Sequence, residues 1–222
     1  MNPYAFNTQA YPKSRCDESD VRLDRIFPLI GTGRTILDLG CLDGTIGEIL
    51  LRRGNVVHGI DAAAPAVATA VQRGVQARVG NLEERLDFPD SQFDVVFAGE
   101  VLEHIFDVDT LLSEIHRVLK PGGHLVATTP NLAAMGRRLM LLLNRNPHIE
   151  ISFTGDAAGH IRYFIRSTLF DLLRKHNFHV TDYTSDMVNF DRLGRVRSLW
   201  LARLFPTLGK SLIIRAARME KR

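Results

Sequence analysis

The stretch from Ile36 to Gly47, which reads ILDLGCLDGTIG, constrains the fold of this chain more than any other. A short apolar run contains an acid, Asp38, and the chain then turns through Gly40 and Gly44 into a segment compatible with a helix. A strand, a glycine-bearing turn and a helix in succession predict the first βα unit of a doubly wound parallel sheet. Ligands of such sheets bind in the crevice outside the carboxyl ends of the strands.

A second acid indicates the class of ligand. The next predicted strand, Asn55–Ile60, is followed by Asp61, which lies about 20 residues after the first glycine, the spacing at which an acid contacts ribose hydroxyls. A dinucleotide site would need G-x-G-x-x-G to bring a pyrophosphate against bare backbone, whereas Leu42 stands between Gly40 and Gly44 here. The loop therefore predicts a nucleoside ligand without a pyrophosphate, whose amino-acid-like tail approaches the backbone.

Composition sets the broad class of protein. A chain of 222 residues is long enough for one α/β domain with its own core. Its net charge of +3 and pI near 9.1 are too weakly basic to indicate nucleic acid. The two cysteines, Cys16 and Cys41, form no C-x-x-C pair, which favours a reduced, cytoplasmic setting without disulfides or structural zinc. We find no secretory leader and no apolar run of the ~18 residues that a membrane span needs, so we expect a soluble protein.

Predicted strands and helices alternate along the chain, which is typical of a parallel sheet. The predicted helices lie within Asp20–Ile30, Thr45–Arg53, Pro65–Gly74, Thr110–Leu119, Leu132–Leu143 and a segment that Ser167 and Thr168 open. The later predicted strands are Val75–Val79, Phe93–Ala98, Leu125–Thr129, Phe178–Thr184 and Ser211–Ala216. Lys120–Gly123 is predicted to be a turn. We expect one domain over residues 1–222.

Three segments interrupt this alternation. Residues 1–30 are predicted to form an N-terminal arm and helix, in which Met1–Arg15 is either a lid or a flexible tail. Residues 131–165 are predicted to be a lid insertion, because long connections at the ligand edge are usually functional. Residues 189–209 are predicted to be a basic insertion before the last strand.

The basic residues of the two later insertions have two interpretations. They are Arg137, Arg138, Arg145, Arg192, Arg195, Arg197 and Arg203. They could contact an anionic acceptor, RNA or a membrane surface. The interpretation favoured by the sequence is a lid helix packed on the core with solvated arginines.

Three further blocks extend the pattern of the first loop. They are Asp87–Asp94 (DFPDSQFD), Gly99–His104 (GEVLEH) and Leu119–Gly123 (LKPGG). With the loop and Asp61, they resemble the class I S-adenosylmethionine-dependent methyltransferases of types 11 and 23, and in particular the ubiquinone-pathway O-methyltransferases. Leu42 departs from the family loop D-x-G-x-G-x-G, whose middle glycine it replaces. The resemblance implies a Rossmann-like sheet of seven strands with the last one antiparallel, and S-adenosylmethionine as cofactor.

The resemblance also implies roles for individual residues at the cofactor. Asp38, Gly40 and Gly44 would hold the methionine end and Asp61 the ribose, with Cys41 and Ala62 beside them; Asn81 and Leu82 would contact the adenine, and Gly99 and Glu100 would lie beside the methyl group. Two alternatives stay open. Asp61 could be a helix-capping acid, and Cys41 is expected to be a small loop filler rather than a nucleophile.

The segment after the fourth strand carries the candidate chemistry. Methyl transfer to a hydroxyl requires removal of a proton, so a base or a metal is expected nearby. His104 is the candidate base, with Glu100 as the second catalytic candidate, and the alternative for His104 is a structural histidine. Glu100, Glu103 and His104 would share one face of a helical turn. With His160 as a fourth ligand, they are similar to the metal-binding pattern of small-RNA 3′-terminal 2′-O-methyltransferases and of some ubiquinone-pathway O-methyltransferases. Such a set suits Mg²⁺, Mn²⁺ or Zn²⁺.

These observations favour an enzyme, an S-adenosylmethionine-dependent methyltransferase that acts on a small-molecule hydroxyl oxygen. One alternative is the same chemistry, metal-dependent, on an RNA 3′-end. The other is a non-catalytic nucleoside-binding module. We expect a small-molecule acceptor as partner, with nucleic acid not favoured and peripheral membrane contact left open. The sequence leaves the methylated atom, the metal dependence and the oligomeric state open.

Overall fold

The computed structural model of the chain describes residues 20–147, 159–190 and 196–220. The predictions for Met1–Arg15, Cys16, Arg192 and Arg195 lie outside the described residues, as does the middle of the 131–165 insertion.

The described residues form helices and strands in alternation. The helices are α1 (Leu23–Ile30), α2 (Thr45–Arg52), α3 (Ala64–Gln72), α4 (Val108–Val118), α5 (Met135–Leu142), α6 (Arg166–Lys175) and α7 (Leu199–Leu204). Short 3-10 helices span Leu102–His104 and Pro206–Leu208. The strands are β1 (Thr35–Leu39), β2 (Val56–Asp61), β3 (Gln76–Val79), β4 (Phe93–Gly99), β5 (Leu119–Pro130), β6 (Phe178–Thr184), β7 (Val188–Asn189), β8 (Arg197–Ser198) and β9 (Ser211–Arg218).

Seven of these strands form one sheet in the order β3-β2-β1-β4-β5-β9-β6. The pairs from β3 to β5 are parallel, whereas β9 runs antiparallel to both of its neighbours. The order reverses direction between β1 and β4, which is where a doubly wound sheet opens its ligand crevice. The predicted doubly wound α/β sheet with an antiparallel last strand is confirmed.

The alternation of side chains along each strand builds a core on both faces of the sheet. In β1, Ile36 packs with α1 and α2, while Leu37 and Leu39 face the opposite cluster, which contains α4 and α6. Burial on both faces explains why β1 and β4 read as nearly continuous apolar runs. The sheet therefore holds the carboxyl ends of its central strands rigidly at one edge.

The predicted turn at Lys120–Gly123 is wrong, because β5 begins at Leu119 and runs through it. Leu119 pairs with Phe93 and His124 pairs with Val95, so the β5 residues between them form an irregular bulge in the ladder. Gly122 has a φ of 78°, which its lack of a side chain permits. The Lys-Pro-Gly-Gly sequence thus bends the strand without ending it.

No regular structure was predicted for residues 189–209. There β7 and β8 pair as a two-stranded ribbon, followed by α7 and the second 3-10 helix. Helices α5 and α7 both contact β7, so the two basic segments are neighbours in space. Among the described residues, no helix is both long enough and apolar enough to cross a bilayer.

Candidate active site

The loop after β1 lies across the ends of β1 and β2. The backbone N–H groups of Gly40 and Cys41 both donate to the carbonyl oxygen of Ile60, at 2.9 and 3.2 Å. Gly40 has a φ of 68°, and a Cβ built on it would lie 3.0 Å from Val101 Cγ2. Only glycine meets both conditions without strain. The loop therefore packs directly against the segment that follows β4.

Leu42, which stands where the family has its middle glycine, adopts the conformation that favours glycine. Its φ is 47°, and its N–H donates to Asp61 Oδ2 at 3.0 Å. Asp61 Oδ1 accepts a second bond from Ala63 N at 2.8 Å, just before α3. Asp61 therefore joins the β1 loop to the β2 loop. Its bond to Ala63 N is part of the helix-capping role that the sequence left open. Its contact with a ribose stays a prediction.

Asp38 is an unusual group to find at the bottom of this crevice. It is 3% exposed, and it pairs in register with Gly59 of β2. Burial, and to a smaller extent the charge of Asp61, raises the pKa of Asp38 to about 8. A cationic group of a ligand would favour the ionised form of this carboxyl. This environment fits the predicted contact of Asp38 with an ammonium tail.

Gly44 and Cys41 have packing roles. A Cβ on Gly44, whose φ is 76°, would lie 2.7 Å from the Cα of Ala70 in α3. Cys41 Sγ occupies the space above Gly59, 2.7 Å from a Cβ built there. Burial raises the pKa of the Cys41 thiol, which suits a loop filler and not a nucleophile. Their contacts with a cofactor stay predictions.

At the third strand, the predicted adenine-binding residues form a compact turn. Asn81 Nδ2 donates to Glu84 Oε1 at 2.9 Å, and Asn81 Oδ1 accepts from Glu83 N at 3.0 Å. Leu82 is partly buried against the core. A side-chain contact of Asn81 with adenine would replace one of these hydrogen bonds. The contacts of Asn81, Leu82, Ala62 and Gly99 with the cofactor stay predictions.

Glu100 is held by β5 and not by a helix. Its φ is 57°, its N–H donates to the carbonyl oxygen of Thr128 at 3.0 Å, and Thr128 Oγ1 donates to its Oε1 at 2.9 Å. Arg22 Nη1 lies 3.7 Å from the same oxygen. Burial raises the pKa of Glu100, while Arg22 and Thr128 oppose the rise.

The predicted common helical face of Glu100, Glu103 and His104 is wrong. The helical turn is a 3-10 helix that begins only at Leu102, and the left-handed backbone of Glu100 directs the chain away from it. Glu103 and His104 remain together on this turn.

Glu103 is the most unusual group at the end of β4. It is 1% exposed, and neither carboxylate oxygen has a hydrogen-bond partner within the described ranges. Burial and then the charge of Glu100 raise the pKa of Glu103 well above its ordinary value, while the neighbouring Thr129 hydroxyl opposes the rise. A buried carboxyl without donors favours a proton or a cation beside it.

His104 faces the returning insertion. Its Nδ1 lies 3.2 Å from the carbonyl oxygen of Gly159, which can only accept, so Nδ1 carries the proton and Nε2 the basic lone pair. Burial and the neighbouring His160, whose ring centroid is 4.9 Å away, lower the pKa of His104 to about 4. The imidazole is therefore neutral at physiological pH.

Three of the four predicted metal ligands meet in space. One ligand atom each from Glu103, His104 and His160 lies within 4.8 Å of the others, whereas Glu100 is outside this group. A buried carboxylate without donors and a neutral imidazole are chemically suited to a divalent ion. Two nitrogen donors favour Zn²⁺ or Mn²⁺ over Mg²⁺.

The end of the 131–165 insertion is fixed onto this turn. Ile161 N and Arg162 N donate to the carbonyl oxygen of Glu103 at 2.9 and 3.1 Å. Arg162 Nε donates to the carbonyl oxygen of Ile105 at 2.8 Å, and its Nη2 contacts that of Phe106. The roles of Arg22, Thr128 and Arg162 were not predicted from the sequence. Only Arg162 had a signal, its position two residues after His160.

Comparisons with known proteins agree with this geometry. The profile of a family described as "Methyltransferase domain" matches residues 37–127, which include the β1 loop and β4. The ubiquinone biosynthesis O-methyltransferase of Alkalilimnicola ehrlichii is 33% identical over 148 residues, 61% of this chain and 55% of that protein. The human mitochondrial enzyme of the same name is 36% identical over 126 residues, 53% of this chain and 34% of that protein. The chain thus spans between about a third and about half of these two curated relatives.

Solved structures give the same fold over nearly the whole chain. A SAM-dependent methyltransferase of Thermotoga maritima, described as a possible histamine N-methyltransferase, superposes with a TM-score of 0.65. The match covers 97% of this chain and 91% of that one at 18% identity, a level at which it shows the fold alone.

Proposed function

We propose that this chain, which belongs to the class I S-adenosylmethionine-dependent methyltransferases, transfers the donor's methyl group to a hydroxyl oxygen of a small-molecule acceptor. The observation that carries the proposal is the contact between the two halves of the site. Gly40 of the donor loop lies against Val101, two residues before Glu103. A nucleoside on the loop would therefore present its reactive end to the buried carboxyl.

The donor half provides binding and orientation. Asp38 would face the ammonium group of the methionine tail, and Asp61, already fixed by two backbone donors, would accept from the ribose. Since the sulfonium is a good leaving group, the protein gains most of its rate from holding the two reactants in line, out of water.

Proton removal from the acceptor is assigned to Glu103. A carboxylate becomes a stronger base as its pKa rises. The pKa of His104, near 4, makes it a weak base, whereas the pKa of Glu103 is raised. We therefore move the role of base from His104 to Glu103, and we give Glu100 a positioning role through Thr128.

A divalent ion would be the other way to acidify the hydroxyl. Glu103, His104 and His160 would hold it, and it would lower the pKa of a bound hydroxyl. Metal analysis of the purified protein, and activity after EDTA treatment with Zn²⁺ or Mn²⁺ restored, test this point. Full activity of metal-free protein would assign proton removal to Glu103 alone.

The choice of a small acceptor follows from the names of the curated relatives, both of which act in ubiquinone biosynthesis. An RNA 3′-end is not favoured. A non-catalytic nucleoside-binding module stays the alternative, and it predicts donor binding without any product. The single-domain organisation over residues 1–222 and a cytoplasmic location remain part of the proposal.

We also propose that the end of α5 makes peripheral contact with a membrane surface. Leu141, Leu142 and Leu143 at the end of α5 are all exposed, as are Arg138 and Arg145, and residues 132–147 contain no acid. Apolar side chains beside arginines suit an anionic bilayer. Co-sedimentation with phosphatidylglycerol vesicles should fall for Leu142→Asp. Equal sedimentation of the two proteins contradicts this contact.

The test of the function is formation of S-adenosylhomocysteine from S-adenosylmethionine over a panel of hydroxylated aromatic and aliphatic compounds. We expect turnover with at least one acceptor, and its loss in Glu103→Gln. Donor binding without product for every compound would favour the binding module.

A further inference from the structure

Two successive threonines at the end of β5 have different hydrogen-bond partners. Thr128 and Thr129 are both 1% exposed. Thr128 Oγ1 donates to Glu100 Oε1 at 2.9 Å. Thr129 Oγ1 is shielded from solvent and has no hydrogen-bond partner in the part of the chain that the structure describes. A buried hydroxyl without a partner is costly and rare in folded proteins, so the Thr129 hydroxyl points to a role other than packing.

The alternation of side chains along β5 places the two hydroxyls on opposite faces of the sheet. Thr128 pairs with Ile213 of β9, which belongs to the core cluster that contains α1 and α2. Thr129 pairs with Leu212, which belongs to the opposite cluster. Because directly paired residues of neighbouring strands point to the same face, the Thr129 side chain lies on the face of Leu212.

The turn that carries Glu103 packs on this same face. Leu102 and Ile105, which lie on either side of Glu103 in the chain, belong to the cluster of Leu212, and β5 contacts the 3-10 helix. The Thr129 hydroxyl is also near enough to oppose the rise in the pKa of Glu103. Three buried polar atoms are therefore neighbours without a partner among the described residues, namely this hydroxyl and the two carboxylate oxygens.

A threonine hydroxyl and an ionised carboxylate complement each other. The O–H group rotates and can donate one hydrogen bond, whereas an ionised carboxylate only accepts. Such a bond is stronger than one between two neutral groups. A general base must also present its lone pair within hydrogen-bond reach of the proton that it removes. A donor on one carboxylate oxygen would fix the direction in which the other oxygen points.

We propose that Thr129 is a positioning residue for methyl transfer: its hydroxyl donates to one oxygen of the Glu103 carboxylate, so that the other oxygen faces the hydroxyl of the acceptor. This inference rests on the role of Glu103 in the proposed function. The proton of the acceptor passes to the second Glu103 oxygen, and the acceptor oxygen forms a bond to the methyl carbon. The bond from that carbon to the donor sulfur breaks, and its electron pair stays on the sulfur. Thr129 gives up no proton.

Three variants of the full chain test this role. Thr129→Val removes the hydroxyl at nearly constant shape, Thr129→Ser keeps it, and Glu103→Gln removes the base. With S-adenosylmethionine and an acceptor from the panel, we expect Thr129→Val to lower kcat about tenfold or more, as loss of a hydrogen bond to a charged group allows. The KM for the acceptor should not change, and Thr129→Ser should restore most of the rate. Added to Glu103→Gln, Thr129→Val should cause little further loss, because residues that act as a unit are not additive.

An unchanged kcat in Thr129→Val, a raised KM as its only effect, or fully additive losses in the double variant overturns the inference. The melting temperature separates positioning from packing. Thr129→Val should leave it unchanged or raise it, since the substitution removes a buried hydroxyl without a partner. A lowered melting temperature assigns Thr129 a packing role and also overturns the inference. Two results are distinct from these: absence of product from the wild type, or full activity of Glu103→Gln, overturns the proposed function and the inference with it.

Discussion

Leu42 donates its backbone N–H to the carboxylate of Asp61 at 3.0 Å, and this bond holds a non-glycine residue in a left-handed turn. The residue that departs from the family loop thus adopts the left-handed conformation typical of glycine, and a carboxylate at the end of β2 holds it there. Both carboxylate oxygens of Asp61 already accept a backbone hydrogen bond, one from Leu42 and one from Ala63. Asp61 therefore has a structural role in addition to any contact with a ribose.

Leu42→Gly should preserve the binding of S-adenosylhomocysteine. The substitution removes backbone strain of about 1–2 kcal/mol in the left-handed region, partly offset by the greater freedom of glycine in the unfolded chain. Leu42→Val should lose stability, because a branched side chain tolerates this φ poorly. Calorimetry and thermal melts check both variants, and loss of ligand binding in Leu42→Gly would contradict the role given to the Asp61 bond.

Gly40→Ala should weaken donor binding more than the same substitution at a turn glycine elsewhere in the chain. The new Cβ would lie 3.0 Å from Val101 Cγ2, and a residue with a side chain would also be strained at a φ of 68°. Gly54→Ala is the matched control, since Gly54 has a φ of 82° but no atom within 4 Å of its Cβ. We expect the control to lose about 1 kcal/mol of stability with an unchanged dissociation constant. Equal dissociation constants for the two variants would contradict the packing of the loop against the β4 end.

The contribution of Asp38 to the stability of the ligand-free protein should fall as pH rises from about 4 to 8. The pKa of Asp38 is raised from 3.8 to about 8 in the folded protein, so the folded state binds more protons than the unfolded state over this window. The free energy of unfolding then decreases with pH by up to about 1.4 kcal/mol per unit for this group. Urea unfolding of wild type and Asp38→Asn at several pH values measures the effect. The free energy of unfolding of the wild type minus that of the Asn variant should decrease as pH rises through this window, and a difference that does not change with pH contradicts the burial of an ionisable Asp38.

Glu103→Gln should reduce methyl transfer strongly while donor binding stays unchanged. Loss of a general base costs about 10²–10⁴-fold in rate. The substitution keeps the backbone carbonyl that accepts from Ile161 and Arg162, and the two carboxylate oxygens that it alters have no hydrogen-bond partner among the described residues. Glu100→Gln is the comparison, since its carboxyl is occupied by Thr128 and Arg22. A rate loss in Glu100→Gln as large as that in Glu103→Gln contradicts the division of roles.

The central sheet was predictable from the sequence because buried parallel strands leave a strong local signal. The apolar run that forms β4 and the glycine turn after β1 needed no long-range information. The β5 bulge was missed because Lys-Pro-Gly-Gly also suits a turn. Only the pairing of the flanking residues with β4 keeps these four residues in the strand.

The site was only partly predictable, because its decisive contacts join residues far apart in the chain. The grouping of His160 with His104 followed from their types, but Arg22 at Glu100 had no sequence signal. The helical spacing that linked Glu100 to Glu103 assumed a regular turn, and the left-handed Glu100 breaks it. The partial burial of Arg137 and the exposure of Arg138 likewise depend on which face of α5 packs inward.

The most direct test of the account is an isothermal titration of the purified protein with S-adenosylhomocysteine. We predict saturable one-to-one binding with a dissociation constant in the micromolar range, weakened about tenfold or more in Asp38→Ala, since a hydrogen bond to a charged group is worth that much. No heat of binding for the wild-type protein would contradict the assignment of the β1–β4 crevice as a donor site.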